Sequence, residues 1–528
     1  MILIPLVLSS CSTSGSHHRS TTSGSSSSSS YVPSTSSSST ASTSGSSSSS
    51  SSTSSQPHTG SVNISFTAIN DFHGQIDEEG EMVGLAKLTT YLKEKKDNGN
   101  ILINSGDMYQ GSFLCNYDKG KFLSSAFKEI GFDSYTIGNH EFDWGVNPIL
   151  ENETALGQHF LGANIYKYPK GSEWEKADLG ESYKIVEHDG VRIGIIGVIG
   201  EAQIGSITST FVEDYIFLNP TPIVKSIAVD LRENQGCDIV VLSSHNGGAD
   251  ESLSELVPDK SYRYIDACFL AHTHQFDYQL VNGVPYLQAG AYSQGASNVT
   301  LKYDFDTKSV SHVSSGNTAL IDLNLAIDPE MAAKIETEKN KNIDKYTDII
   351  GHNNTGYTIS TGNMAKYYAR LTYDAARSEQ PTYDVKGVIF NYARRSLKEG
   401  DFTYADLFET HPFLNDIYIL SVRKDQIDNE KAYNYGYFNS DTLYSGEYYD
   451  VAVYNYIGFH IGIDEEYNKY YNYFSTAFSA YAEHPPVKLS FNCFDLALNH
   501  LSSHPEINTS DFTGEGFFGG LYWLYLKE

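Results

Sequence analysis

From residue 59 onward, short apolar runs alternate with longer amphipathic stretches, whereas residues 12–58 hold almost nothing apolar. The runs Val62–Ile69, Ile101–Ile103, Tyr135–Ile137, Arg192–Val198, Ile239–Leu242 and Cys268–Leu270 read as strands, and Gly84–Lys95 and Lys121–Ile130 carry the spacing of helices between them. That alternation predicts an α/β sheet core over residues 59–325. A charged, Pro-bearing helical stretch from Asp328 to about Tyr346 follows, so residues 326–346 are expected to form a linker helix. Residues 347–528 then form a second folded region.

Length agrees with this division, because 528 residues exceed what one ordinary core organises. Hydrophobic content of 40% and aromatic content of 13% leave ample material for burial. A formal net charge of −29 disfavours nucleic acid polymers as partners, since phosphate backbones are bound mainly by clustered Lys and Arg. Small phosphate esters stay open, because a metal ion can supply the local positive charge.

At the N-terminus, the apolar Ile2–Leu8 leads into Leu8-Ser9-Ser10-Cys11, which resembles a bacterial lipobox with a lipid-bearing cysteine. Residues 1–11 are therefore expected to be a signal remnant; the short run without Lys or Arg before it suggests a start upstream of Met1. Residues 12–58, almost wholly Ser, Thr and Gly up to Ser55, cannot bury a core and read as a flexible tether. Membrane attachment through Cys11 and an extracytoplasmic or secreted location are the expectation. No stretch beyond Cys11 has the length of a membrane span, and Cys115, Cys237, Cys268 and Cys493 make no CxxC or zinc-ribbon spacing.

Chemistry appears in the residues just after the candidate strands. These are Asn70-Asp71-Phe72-His73-Gly74, Asn104-Ser105-Gly106-Asp107, Gly138-Asn139-His140-Glu141-Phe142-Asp143, Ser243-Ser244-His245 and Ala271-His272-Thr273-His274. In open α/β sheets ligands bind at the carboxyl ends of strands, so these side chains should share one crevice. Carboxylates with imidazoles suit borderline divalent ions such as Mn, Zn, Co or Fe, and the donors are too many for one tetrahedral ion. A pair of ions can hold a bridging hydroxide for in-line attack and clamp phosphoryl oxygens.

The same residues carry a resemblance. Asp-Phe-His-Gly, Gly106-Asp107-x-x-Gln110-Gly111, Gly138-Asn-His-Glu-Phe-Asp-Trp-Gly145, a strand-end His and His-x-His resemble, in order and spacing, the calcineurin-like metallophosphoesterases of the 5′-nucleotidase and UDP-sugar hydrolase branch. The resemblance covers nearly all of residues 62–300, with Ala271 standing where the family usually has Gly. It implies a β-sandwich flanked by helices (α/β/β/α), followed by an α+β substrate-binding domain. It also implies Asp71, His73, Asp107 and His274 on one metal, and Asp107, Asn139, His245 and His272 on the other, with Asp107 bridging. His140 would stabilise the phosphoryl charge and Asp143 would orient its ring.

The second region resembles the family less closely. Gly387–Asn391 with Tyr392-Ala393-Arg394-Arg395 lies where the family has a strand and then Asn-x-Gly-Gly-x-Arg, with the double Gly lost. The later Gly-Gly-Asp-Gly becomes Gly462-Ile463-Asp464-Glu465. The resemblance implies substrate contacts from Asn391, Arg394, Arg395, Tyr456 and Asp464, with Tyr437 or Phe438 as a second stacking ring. With 39 tyrosines in the chain, an aromatic falls near any chosen position. The expected activity is hydrolysis of nucleotide phosphate esters; a UDP-sugar hydrolase, a 2′,3′-cyclic-nucleotide phosphodiesterase and a surface-binding protein are the alternatives.

Overall fold

The computed structural model describes residues 58–167, 175–247, 251–258, 262–439, 441–458, 460–464, 469–473 and 484–519. Cys11, the tether up to residue 57 and the side chain of Asp464 lie outside the described residues.

Two sheets face each other in the first half of the chain. One runs in the order Ser309–Ala319, Gly295–Asp304, Ser61–Ile69, Ile101–Asn104, Ser134–Tyr135. The other runs Phe276–Val281, Val284–Ala289, Ala267–Leu270, Ile239–His245, Val191–Ile199, Tyr183–His188. Each central strand is apolar on both faces, as the near-continuous runs required. Ile239 and Val241 enter the core between the sheets with Ile64, Phe66, Ile101 and Ile103, while Val240 and Leu242 enter the core beneath the helix Pro220–Glu233. The first sheet is covered in the same way by Gly84–Asp97 and Lys121–Ile130. The layers are therefore α/β/β/α, as expected.

Ser61–Ile69, Ile101–Asn104 and Ser134–Tyr135 are parallel neighbours, and so are Val191–Ile199, Ile239–His245 and Ala267–Leu270. Their carboxyl ends present Asn70, Ser105, Thr136, His245 and Ala271 on one side. The strand expected at Tyr135–Ile137 stops at Tyr135. Thr136 makes only an isolated bridge to Leu161, because the chain leaves the sheet there to form the loop that carries Asn139 to Asp143.

The second half holds a mixed sheet in the order Val487–Lys488, Ile417–Arg423, Tyr448–Tyr454, Val385–Phe390, Tyr435–Phe438, Phe517–Phe518. Thr361–Glu379 and Cys493–Ser503 contribute Met364, Tyr368, Phe494 and Leu501 to its core. The expected single linker helix is two, Pro329–Asn340 and Ile343–Thr347, broken where Asn342 takes φ −134° and ψ 42°. Asp328 caps the first by accepting from the Met331 amide at 2.8 Å and pairs with Lys93 at 2.9 Å, and Lys339 pairs with Asp77 at 2.6 Å. Phe113, from the first half, is buried in the second half's core against Phe408 and Tyr404.

Candidate active site

The loops after the parallel strands converge. Asp71, His73 and His274 form one group whose ligand atoms all lie within 4.8 Å of one another; Asp107, His245 and His272 form a second by the same measure. The Asp107 Oδ2 is 3.1 Å from His245 Nε2 and 4.0 Å from His73 Nε2, so it stands between the groups. The Asn139 Oδ1 is 3.2 Å from His245 Nε2 and 3.0 Å from His272 Nδ1. Each group combines a carboxylate with two imidazoles, a donor set suited to a borderline divalent cation. Asp71 and Asp107 are fully buried and compensated chiefly by imidazoles, so a cation is the charge this set lacks.

Local backbone geometry is part of the arrangement. Asp71 (φ 48°), His73 (48°), Asp107 (56°), His272 (84°) and His274 (58°) all occupy the left-handed region. For residues other than Gly this costs about 1–2 kcal/mol each and persists where the surroundings over-determine it. Two glycines make room. Gly106 itself has φ 97°, a turn conformation suited to Gly. Gly138 needs space instead: a Cβ there would meet the Asp107 Oδ1 at 2.2 Å.

Hydrogen bonds outside the donor set hold the loops. The His73 Nδ1 is 3.2 Å from the Gln110 carbonyl and the His245 Nδ1 is 2.9 Å from the Ser105 carbonyl, leaving each Nε2 facing the site. The Asn70 side-chain amide donates to Asp71 at 2.7 Å and to the Gly290 carbonyl at 2.6 Å. Glu141 accepts from the backbone amides of Asp107 (2.9 Å), Met108 (2.8 Å) and Gly138 (2.7 Å), stitching two strand-end loops together. Burial, and then the Asp107 carboxylate, push Glu141 up to about 7 against those three donors. It carries no metal-ligand geometry and was not singled out in the sequence, although its motif contains it.

His140 and Asp143 pair at 2.7 Å through Nδ1 and Oδ2. Burial opposes charge on His140, but Asp143 and Asp107 outweigh it and raise its pKa above the ordinary imidazole value. The His140 amide also donates to the Asp107 Oδ1 at 2.8 Å, so the dyad and the shared carboxylate are fixed to one another.

A cavity of about 520 Å3 opens over this cluster, of a size suited to a small organic ligand. Its lining joins Asp107, Asn139, His140, Asp143, His272 and His274 to Asn391, Arg394 and Tyr456 from the second half of the chain. Arg394 is deeply placed: its Nη2 is 3.0 Å from both ring nitrogens of His73, and its guanidinium lies 5.7 Å from the centre of the Tyr292 ring. The Arg394 Nε is buried without a hydrogen-bond partner, a donor left free for an anion.

Three expected contacts fall elsewhere. Arg395 turns away to pair with Glu79 at 2.9 Å and to donate to Gln75 at 2.6 Å, so it ties the two halves together and does not line the cavity. Tyr437 packs in the sheet against Tyr373 and Phe517, and Phe438 is buried in the core. The aromatic lining comes instead from Tyr392, Phe413 and Tyr454 beside Tyr456. Tyr454 and Tyr456 lie nearly parallel, 6.2 Å apart at 15°. Strand periodicity gave no means of choosing these rings among so many tyrosines.

Comparison with known proteins accords with this geometry. The calcineurin-like phosphoesterase family matches residues 64–276. Residues 64–276 are a calcineurin-like phosphoesterase domain. The chain is 26% identical over 400 residues to Endonuclease YhcR of Bacillus subtilis, covering 69% of this chain and 32% of that protein. It is 24% identical over 318 residues to the 5′-nucleotidase of Diplobatis ommata, covering 53% of this chain and 52% of that one. The chain thus spans about a third to a half of the length of these relatives. The 5′-nucleotidase precursor from Thermus thermophilus shares the fold at a TM-score of 0.66 and 15% identity, over 84% of this chain and 97% of that one, so the likeness extends beyond the phosphoesterase domain into the second half.

Proposed function

We propose that this protein is a dinuclear-metal phosphoesterase that hydrolyses nucleotide phosphate esters, in the manner of a 5′-nucleotidase. The observation that carries the reading is the shared cavity: candidate metal ligands and the His140–Asp143 pair line the same space as Arg394 and Tyr456, within reach of one small substrate. Asp71, His73 and His274 would hold one divalent ion, and His245, His272 and Asn139 the other, with Asp107 between them. Bound there, the ions would neutralise phosphoryl oxygens and lower the pKa of water. Arg394 would donate to the phosphoryl group, and Tyr456 would stack on the base. His140, held by Asp143, would face the charge that develops on the transferring phosphoryl group.

Hydrolysis by the metal-loaded protein tests this, read as phosphate from AMP, UMP from UDP-glucose, adenosine monophosphate from 2′,3′-cyclic AMP and p-nitrophenol from bis-p-nitrophenyl phosphate. AMP should be cleaved best. Preference for bis-p-nitrophenyl phosphate or the cyclic nucleotide would replace the reading with a phosphodiesterase, in keeping with the relative named an endonuclease. Against polymeric substrates stands the excess of 65 Asp and Glu over 36 Lys and Arg.

Attachment through a lipid at Cys11, outside the cytoplasm, is part of the same proposal and rests on the sequence around Cys11. No helix among the described residues is long and apolar enough to cross a membrane. Incorporation of labelled fatty acid into the wild-type chain but not into Cys11→Ala would support it, and equal labelling would remove it.

A further inference from the structure

One residue of the cavity is buried without any of the partners its chemistry calls for. His411 lines the cavity and is 1% exposed, yet both ring nitrogens lack a hydrogen-bond partner. Four aromatic rings stand around it: Phe390 at 5.0 Å, Tyr368 and Phe413 at 5.7 Å and Tyr454 at 5.8 Å. The nearby hydroxyls are engaged elsewhere, since Tyr368 bonds Thr410 at 2.6 Å and Tyr454 accepts from the Asn391 amide at 3.1 Å. A histidine kept only for packing would be better replaced by Phe, because an unpaired buried polar group carries its desolvation cost with no return.

Burial pushes the His411 imidazole down to about 3, so it is neutral. A neutral imidazole carries one N–H donor and one bare acceptor nitrogen. Phe413, which also lines the cavity, lies 5.7 Å from His411 and 6.0 Å from His140. The next residue, Leu414, holds φ 51°, a strained conformation for a branched side chain. The Phe413 ring beside His411 is therefore followed directly by strained backbone.

We propose that His411 is a specificity-determining residue: when the Phe413 ring turns aside, one ring nitrogen of its imidazole makes a hydrogen bond to the edge of the substrate's heterocyclic base. The inference rests on the nucleotide reading above. Bases present donors and acceptors at the edge of a flat, uncharged ring, and a neutral imidazole among aromatic walls can meet one of them with either its N–H or its bare nitrogen. Simple aryl phosphates lack that edge.

The test uses the full chain loaded with metal, comparing wild type with His411→Phe and His411→Gln. His411→Phe should keep or raise the Tm, because it removes unpaired polar atoms. It should lower kcat/KM for AMP by about 3–10-fold, as expected for one lost hydrogen bond, and leave p-nitrophenyl phosphate within about twofold, since that ester does not make the bond. His411→Gln, which keeps a donor and an acceptor, should restore part of the AMP rate. Equal losses on both esters with a lowered Tm would make His411 a packing residue and overturn the proposal, as would an unchanged AMP rate. If wild type cleaves neither ester, the proposed function fails on its own; AMP affinity by calorimetry then tests His411, with the same fold-loss expected.

Discussion

The two walls of the cavity are built by different means. On the side of residues 61–319, polar side chains stand at the ends of parallel strands, on left-handed backbone, each held by a short-range or backbone hydrogen bond. On the side of residues 385–456, the lining is aromatic and carries a buried guanidinium and an unpaired imidazole. The first wall carries strain at five residues balanced by surrounding bonds; the second brings the unpaired Arg394 Nε and His411 ring nitrogens to the cavity itself. A rigid polar wall suits chemistry that tolerates little displacement, whereas an adaptable aromatic wall suits recognition.

The largest effect should come from Asp107, which both donor groups share. Asp107→Ala is expected to abolish phosphate release and empty both cation positions together, as read by metal analysis beside kinetics. His140→Ala should instead keep the metal content while turnover falls by about 100-fold or more, the usual scale for losing one electrostatic or proton-transferring group. Loss of metal from the His140 variant would place that ring among the ligands and erase the distinction within the polar wall.

Glu141 tests whether that wall is held by surrounding bonds as described. Removing its carboxylate in Glu141→Ala leaves three buried amides without their acceptor. The expected cost is about 3–9 kcal/mol at 1–3 kcal/mol per orphaned donor, visible as a large drop in Tm. A Tm within a few degrees of wild type would mean that the loops hold their shape without it.

On the aromatic wall the effects should be smaller and selective. Tyr456→Ala is expected to raise KM for AMP about tenfold, the scale of one lost aromatic contact of about 1.5 kcal/mol, and to leave p-nitrophenyl phosphate unchanged. A matching change in both esters would show that the ring shapes the site without touching a base. The smallest effect belongs to Arg395. Its partly exposed pair with Glu79 is worth about 1 kcal/mol or less, so Arg395→Ala should shift the Tm slightly and leave both KM values alone. A rise in KM for AMP would return it to the substrate-binding residues.

Much of the polar wall could be read from the chain because its residues sit at fixed offsets from short apolar runs. Asp71, Asp107, Asn139, His245 and His272 each follow or end a strand that the hydrophobic pattern reveals. Glu141 escaped notice despite lying in the same motif, because its role is to accept backbone hydrogen bonds across a loop-to-loop contact that no spacing encodes. The second ring beside Tyr456, expected at Tyr437 or Phe438, was not legible in the chain, since a sheet core and a ligand wall both favour aromatics.

The sequence by itself determined the layered α/β core, the position of the strand ends and the kinds of side chain they carry, because strand periodicity and strand-end chemistry are local properties. Only the tertiary structure decided which of Arg394 and Arg395 faces the cavity, that Phe413 and Tyr454 join Tyr456, and that Phe113 is buried in the other half's core. Those outcomes depend on how the second half docks on the first, through contacts between residues about 300 positions apart such as Phe113 with Glu409 and Arg395 with Glu79. Pairings at that separation leave no period in the chain, and they arise when two cores, each specified locally, come to share one interface.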